Sequence, residues 1–279
     1  MDVSAAGADT RLAEILRDEN VDAVIHFAAR KQVGESVEKP LWYYQQNING
    51  LLNVLQAMKD AEVQKLVFSS SAATYGVPPV DVVPEDVQPM VPINPYGQTK
   101  LFGEWMGRAA AQAYGIRFCA LRYFNVAGCG PVELEDPAIL NLVPMVLDRL
   151  QRGLAPAIFG DDYPTPDGTG MRDYIHVMDL AEGHVAAMQA KSDVSGVHLF
   201  NLGSGRAYSV LEIIRAFEAA SGLTIPFQIK PRRDGDLACF YADPAYTKAQ
   251  TGWETKRDLA QMMEDSWRWV SNNPNGYDD

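Results

Sequence analysis

Sulfur and imidazole ligands are scarce in this 279-residue chain: three cysteines, Cys119, Cys129 and Cys239, and four histidines. No two cysteines have CxxC spacing, which excludes a zinc ribbon, and no metal site is expected. An odd, sparse cysteine set also fits a reducing cytoplasm better than a secreted disulfide framework. Positive charge is short as well. Lys plus Arg total 24 against 36 Asp plus Glu, a net charge of −12, which argues against nucleic acid or an anionic membrane as the main partner. A small anionic ligand remains open, because a few local arginines can oppose the overall field. No apolar run approaches the roughly 20 residues of a membrane helix. The first twenty residues carry Asp2, Asp9, Arg11, Glu14, Arg17, Asp18 and Glu19 rather than the apolar centre of a secretory signal. No internal repeat or low-complexity tract is present.

What the chain does hold is a rhythm. Leu12, Ile15 and Leu16 have helical spacing and predict a helix near residues 9–19. Val21-Asp-Ala-Val-Ile-His-Phe-Ala-Ala29 predicts a buried strand. A helix follows over about 39–60, opened by Pro40, then a strand Lys65-Leu-Val-Phe68 that ends in the serine run Ser69 to Ser71. Another helix runs from about Pro95 to Tyr114, and another strand from Arg117 to Arg122. Strand and helix alternating at these intervals mean βαβ units and an α/β fold with a doubly wound parallel sheet. Arg30, Lys31, Ser69 to Ser71 and Asn125 cluster at the carboxyl ends of the strands, where such sheets bind ligands. Past residue 130 proline and glycine rise, and helices recur near 177–190, 209–221 and 257–271. Residues 131–279 therefore read as mainly a smaller α/β lobe, with some segments returning to the first domain, 1–130.

Tyr96-Gly-Gln-Thr-Lys100 is the sharpest chemical feature. Four residues apart on a helix, the two side chains share a face. A phenol with a pKa near 10 is a poor base at neutral pH, and a nearby ammonium favours its ionised form. Such a pair moves a proton to or from a hydroxyl, although a surface Tyr and Lys at this spacing are also common. The serine run some 25 residues earlier changes the balance: a strand-end hydroxyl followed by Tyr-x-x-x-Lys on the next helix is the Ser–Tyr–Lys pattern of short-chain dehydrogenases. His26 and His176 each sit in or beside an apolar run and read as packed, hydrogen-bonded core residues.

Longer motifs narrow the resemblance. Val24-Ile-His-Phe-Ala-Ala-Arg-Lys31, Gly34-Glu-Ser-Val37, Phe68-Ser-Ser-Ser-Ala72 with Tyr75-Gly76, Leu121-Arg-Tyr-Phe-Asn125, Ile158-Phe-Gly-Asp-Asp-Tyr-Pro-Thr165, Asp167-Gly-Thr-Gly-Met-Arg-Asp-Tyr-Ile-His-Val177 and Asn201-Leu-Gly-Ser-Gly205 are similar to motifs of the UDP-hexose 4-epimerases. These belong to the extended short-chain dehydrogenase/reductase, NAD-dependent epimerase/dehydratase family. The resemblance runs from about residue 2 to the end. It implies a Rossmann-like first domain and tightly held NAD. It also implies interconversion of UDP-glucose and UDP-galactose through transient oxidation at sugar C4. The catalytic set it implies is Ser71, Tyr96 and Lys100. It assigns the cofactor to Asp2, Val3, Phe27, Ala28, Ala29, Arg30, Lys31, Asn47, Phe124, Tyr96 and Lys100. The UDP-sugar goes to Asn125, Asn141, Leu142, Ala157, Ile158, Phe159, Arg172, Arg233 and Phe240, together with Ser71 and Tyr96.

Arg232-Arg233 reads either as a solvated basic pair or, within Pro231-Arg-Arg-Asp-Gly-Asp-Leu237, as a diphosphate clamp. The resemblance implies that Phe240 occupies the position that limits pocket width, where a bulky ring leaves little room for an N-acetyl group. Related dehydratases carry an Asp-Glu pair after the catalytic residue; here Ala72 and Ala73 follow Ser71, so elimination lacks its acid. The family opens with a strand, a glycine-rich turn and a helix that cradles the pyrophosphate. Met1-Asp2-Val3 resembles the tail of that family's third strand, so the chain reads as N-terminally truncated, by a misassigned start or as a genuine fragment. The alternatives to the leading reading are another nucleotide-sugar epimerase, dehydratase or decarboxylase, or a non-catalytic fragment. The resemblance also implies a homodimer joined through the helices near 39–60 and 95–114.

Overall fold

The computed structural model describes residues 1–131, 134, 139, 141–190, 196–233 and 235–274. The first half runs α1 (Ala8–Asp18), β1 (Val24–His26), α2 (Val33–Glu38), α3 (Pro40–Asp60), β2 (Lys65–Ser71), β3 (Val82–Val83), α4 (Pro95–Tyr114), β4 (Arg117–Tyr123) and β5 (Asn125–Ala127). The second half runs α5 (Leu142–Gln151), β6 (Ala157–Phe159), β7 (Met171–His176), α6 (Val177–Gln189), β8 (Val197–Leu202), β9 (Ala207–Ser209), α7 (Val210–Ser221), β10 (Gln228–Lys230), β11 (Cys239–Ala242), α8 (Ala245–Thr251) and α9 (Leu259–Asn272).

The main sheet is parallel throughout, in the order β1-β2-β4-β8. Its strands alternate between two cores. Leu66, Phe68, Phe118 and Ala120 face one way and pack with Leu16 of α1, Leu51, Val54 and Met58 of α3 and Ala110 of α4. Val67, Cys119 and Leu121 face the other way, with Leu180 and Ala187 of α6 and with Phe200 and Trp253. Burial on both faces is why these strands read as continuous apolar runs. The second half builds its own core from Val143, Val146 and Leu147 of α5, Ile213 and Phe217 of α7, and Met262 and Met263 of α9. A second sheet, β3-β11-β7-β5 with β9 antiparallel to β7, and the pair β10-β6 belong to this side. β8 returns to the main sheet beside β4.

Two sequence expectations shift. The strand foreseen over residues 21–29 is three residues long, because β1 pairs with β2 only from Val24 to His26. Beyond it the backbone of Arg30 is held by the Asn47 side chain of α3 rather than by a ladder. The serines foreseen after a strand end lie within β2, where Ser69, Ser70 and Ser71 pair with Leu121, Arg122 and Tyr123. α4 lies tight against the sheet because Gly103 and Gly107 face it: a Cβ there would come 2.5 Å from the Phe68 ring and 2.2 Å from the Phe118 ring. Among the described residues no helix is long and apolar enough to cross a membrane.

Candidate active site

The carboxyl ends of β1, β2 and β4 open onto a cavity of about 680 Å³, lined by Phe27, Ala29, Lys31, Ser69, Ser71, Tyr96, Lys100, Tyr123, Phe124, Asn125, Arg172 and Phe240 among others. It adjoins a second cavity of about 350 Å³ that shares Asn125, Asn141 and Arg172 and adds Leu142, Ala157, Phe159, Tyr174, Arg233 and Asp236. A third, of about 490 Å³, opens at the opposite end of the strands against Lys65, Arg117, Phe118 and His198. It lies away from every motif above.

α4 delivers the tyrosine and lysine. Pro95 starts the helix and Asn94 caps it, its side chain accepting from the Gly97 N–H at 2.8 Å. Gly97 is where the helix meets the turn after β2: a Cβ there would stand 2.6 Å from the Ala73 carbonyl oxygen. Tyr96 therefore lies against Ser71. Burial raises its phenol above the ordinary value, and the neighbouring Ser71 hydroxyl opposes that rise. Lys100 is buried, its ammonium 5.8 Å from the Tyr96 ring centroid and donating to the Ser69 carbonyl at 2.7 Å. Desolvation brings it down to about 8. The carbonyl partner is absent from the sequence pattern; it holds the ammonium at the strand end beside the phenol.

Most of the residues singled out in the sequence converge here, and some do not. Ile158 is 1 % exposed and faces the core, while its neighbours Ala157 and Phe159 line the second cavity. Asn47 sits behind the cavity wall, bonding the Arg30 backbone and Thr99 of α4. The Arg30 guanidinium stacks over Trp42 at 4.4 Å, and Ala28 is exposed beside it. Asp2 and Val3 are absent from the lining of the first and second cavities; Asp2 accepts from Ser4, and Val3 accepts from Asn53 of α3.

The arginine pair divides. Arg232 stacks over Tyr163 and pairs with Asp162 at 2.6 Å, whereas Arg233 stands over Phe159 at 4.8 Å and lines the second cavity. Asp234, in the same motif, lies outside the described residues. Phe124 and Phe240 pack ring to ring at 5.1 Å along the wall of the first cavity. His26 and His176 are core residues. Burial lowers His26 to about 4, and His176 caps α6 through Nδ1 and reaches Asp265 at 3.0 Å through Nε2.

Asp236 and Tyr123 are among the lining residues that escaped the sequence reading. Asp236 stands between Arg233, at 2.8 Å, and Arg172, at 3.9 Å; its place in Arg-Arg-Asp-Gly-Asp was the available signal. Tyr123 hydrogen-bonds His184, whose Nδ1 meets the Leu180 carbonyl at 2.8 Å. Nothing in the spacing of those two residues announces the pair. Among the described residues no group of three or more His, Cys, Asp or Glu could hold a metal ion.

The site thus joins a half-buried Ser71 and Tyr96 and a buried Lys100 to a pocket with two arginines. Residues 5–203 match the model of the NAD dependent epimerase/dehydratase family. The chain belongs to that family. A UDP-glucose 4-epimerase of Neisseria meningitidis serogroup B is 59 % identical over 282 residues, spanning 97 % of this chain and 83 % of the relative. One of Bacillus subtilis is 48 % identical over 269 residues, covering 94 % of this chain and 79 % of its own length. Among solved structures, the UDP-glucose 4-epimerase of Stenotrophomonas maltophila with bound NAD and formylated UDP-arabinopyranose aligns at 41 % identity with a TM-score of 0.91, over 98 % of this chain and 82 % of that one. The enzyme of Bifidobacterium longum in complex with NAD+ and UDP aligns at 43 % identity and a TM-score of 0.90, over 99 % and 83 %.

Proposed function

We propose that the chain interconverts UDP-glucose and UDP-galactose, with Tyr96 as the group that exchanges a proton with the sugar 4-hydroxyl. The observation that carries the reading is the Ser71–Tyr96–Lys100 set opening into the cavity that Arg172 and Arg233 line farther along.

The donor set fits a dinucleotide at the near end of that cavity. Lys31 supplies a cation for a pyrophosphate, Lys100 and Tyr96 supply donors for a ribose, and Phe27, Ala29 and Phe124 supply apolar wall for a nicotinamide. Bound NAD supplies reversible oxidation at the sugar carbon. Tyr96 takes the hydroxyl proton and later returns it, Ser71 hydrogen-bonds the same oxygen, and the Lys100 charge favours the phenolate. At the far end, the planar forks of Arg172 and Arg233 suit a diphosphate, and Phe159 offers a uracil its face. Inverting C4 requires the hexose to present its other face while the nucleotide stays held. Arginines at one end and the apolar Phe124 and Phe240 at the other suit that division of grip. The phenyl ring of Phe240 favours hexoses without an N-acetyl group. Asp236 lies where both arginines approach it, and it serves to keep them oriented.

The reading places the enzyme in the cytoplasm, where its three free cysteines stay reduced. It also makes the enzyme a homodimer. Leu41 and Leu52 of α3 and Phe102 and Trp105 of α4 are exposed, and the last two rings meet edge to face at 5.2 Å. A second copy would cover this apolar helix pair.

Tyr96→Phe is the direct test. Turnover of UDP-galactose should fall by about 10²–10⁴-fold, the usual contribution of a positioned acid–base, while UDP binding by calorimetry stays unchanged. Retained turnover would remove the assignment.

A further inference from the structure

Tyr96 and Lys100 do not stand alone on α4. One turn beyond Lys100, on the same face, is Glu104, and it is 4 % exposed. Its Oε1 accepts from the Ser70 hydroxyl at 2.6 Å and from Arg122 Nε at 2.9 Å, and its Oε2 accepts from Arg122 Nη2 at 2.6 Å. Arg122 belongs to β4 and is 1 % exposed. Its Nη1 donates to the Tyr75 hydroxyl at 2.9 Å and the Glu85 carbonyl at 2.8 Å, and Tyr75 donates in turn to Asn201 of β8 at 2.6 Å. Burial presses against the guanidinium charge, and the hydrogen bond and charge of Glu104 outweigh it.

Three successive turns of one helix therefore meet three successive residues of one strand: Tyr96 with Ser71, Lys100 with the Ser69 carbonyl, Glu104 with Ser70. Ser70 is fully buried and absent from the cavity lining, as are Glu104 and Arg122. A buried ion pair is a weak source of stability, since well-packed apolar residues often do as well. It differs from them in direction. A bidentate fork tolerates little sliding or rotation, whereas an apolar contact such as Gly103 on Phe68 restrains distance alone.

We propose that Glu104 and Arg122, linked to β2 through Ser70, are positioning residues that set the axial register of α4 on β2 and so hold Tyr96 against Ser71. The proposal rests on the reading of Ser71 and Tyr96 as the proton-exchanging pair. Its action is indirect: none of the three touches substrate.

The test uses the full chain labelled with ¹³Cζ-tyrosine, at pH 8. The Tyr96 resonance is assigned by its loss in Tyr96→Phe. Ser71→Ala provides the position of a Tyr96 that lacks the Ser71 hydroxyl beside it. Ser70→Ala cuts the link to the strand and leaves the Glu104–Arg122 pair intact; Glu104→Gln weakens the pair itself. In Ser70→Ala the Tyr96 resonance should move at least halfway toward its Ser71→Ala position. The melting temperature should stay close to the parent's, kcat should fall about tenfold and KM should hold within about twofold, the pattern of a change confined to the reacting state. A Tyr96 resonance that coincides with the unmodified protein's in Ser70→Ala overturns the proposal, whatever Glu104→Gln does to folding. The resonance also separates the two ideas. Absent turnover in the unmodified chain would count against the epimerase reading, while the spectrum still decides whether Ser70, Glu104 and Arg122 position Tyr96.

Discussion

At the scale of single residues, burial rather than identity decides what each ionisable group does. His26 stacks on Phe68 at 6.1 Å and is held neutral, its pKa lowered from 6.5 to about 4 by desolvation and then by the Lys100 charge. Between those values the unfolded chain binds the proton that the folded chain refuses. Stability therefore rises with pH through this window, is complete above 6.5 and is lost toward 4. Replacing His26 by Phe should shrink the difference in unfolding free energy between pH 7 and pH 5 by about 2 kcal/mol, read from urea titrations at both values. The role proposed for Phe240 rests on the size of its ring rather than on its chemistry. Phe240→Ala should raise the rate on UDP-N-acetylglucosamine relative to UDP-glucose by about tenfold or more, the scale of a pocket-volume effect. An unchanged ratio would show that the ring does not limit the pocket. Tyr96 and Lys100 were legible because a helix repeats every 3.6 residues. Ile158 was not separable from Ala157 and Phe159, because a motif marks a segment, and only the direction of each side chain says which residue faces the ligand.

At the scale of elements, α4 carries most of the design. Its bounds, Pro95 to Tyr114, match the expectation from sequence, since Pro95 and Asn94 mark the start and Gly115, in the left-handed region, the end. What the pattern did not announce is how close the helix comes to the sheet. Gly107→Ala improves helix propensity by about 1 kcal/mol but drives a methyl into the buried Phe118 ring. Overpacking of that kind costs about 1–3 kcal/mol, so the variant should be destabilised on balance, with a lower denaturant midpoint. β1 illustrates the opposite limit. The run foreseen as a strand spans nine residues, yet only Val24 to His26 pair, although β2 itself continues to Ser71; past His26 the Arg30 backbone bonds the Asn47 side chain instead of a strand.

At the scale of the molecule, the two halves of the chain meet at the first cavity. Arg172 of β7 and Phe240 of β11 come from the second half of the chain, and Ser71 and Tyr96 from the first, yet all four line one cavity. The apolar faces of α3 and α4 give the quaternary prediction. Trp105→Asp together with Leu52→Asp should convert a dimer to a monomer in light scattering, with near-normal far-UV circular dichroism. If the unmodified protein is itself monomeric at micromolar concentration, that surface has another role.

Local periodicity indicated, from the sequence alone, that the chain is α/β with parallel strands and that Tyr96 and Lys100 share one helix face; the grouping of Ser71 with them came from the resemblance to short-chain dehydrogenases. Those signals reside in contiguous residues, whose side-chain directions follow from helix and strand geometry. The convergence of Asp236 with Arg172 and the pairing of Tyr123 with His184 were decided only by the tertiary structure, as was the lock of Glu104 onto Ser70 and Arg122. Each joins residues on different elements, and the angle and spacing between elements come from packing, which no local pattern encodes.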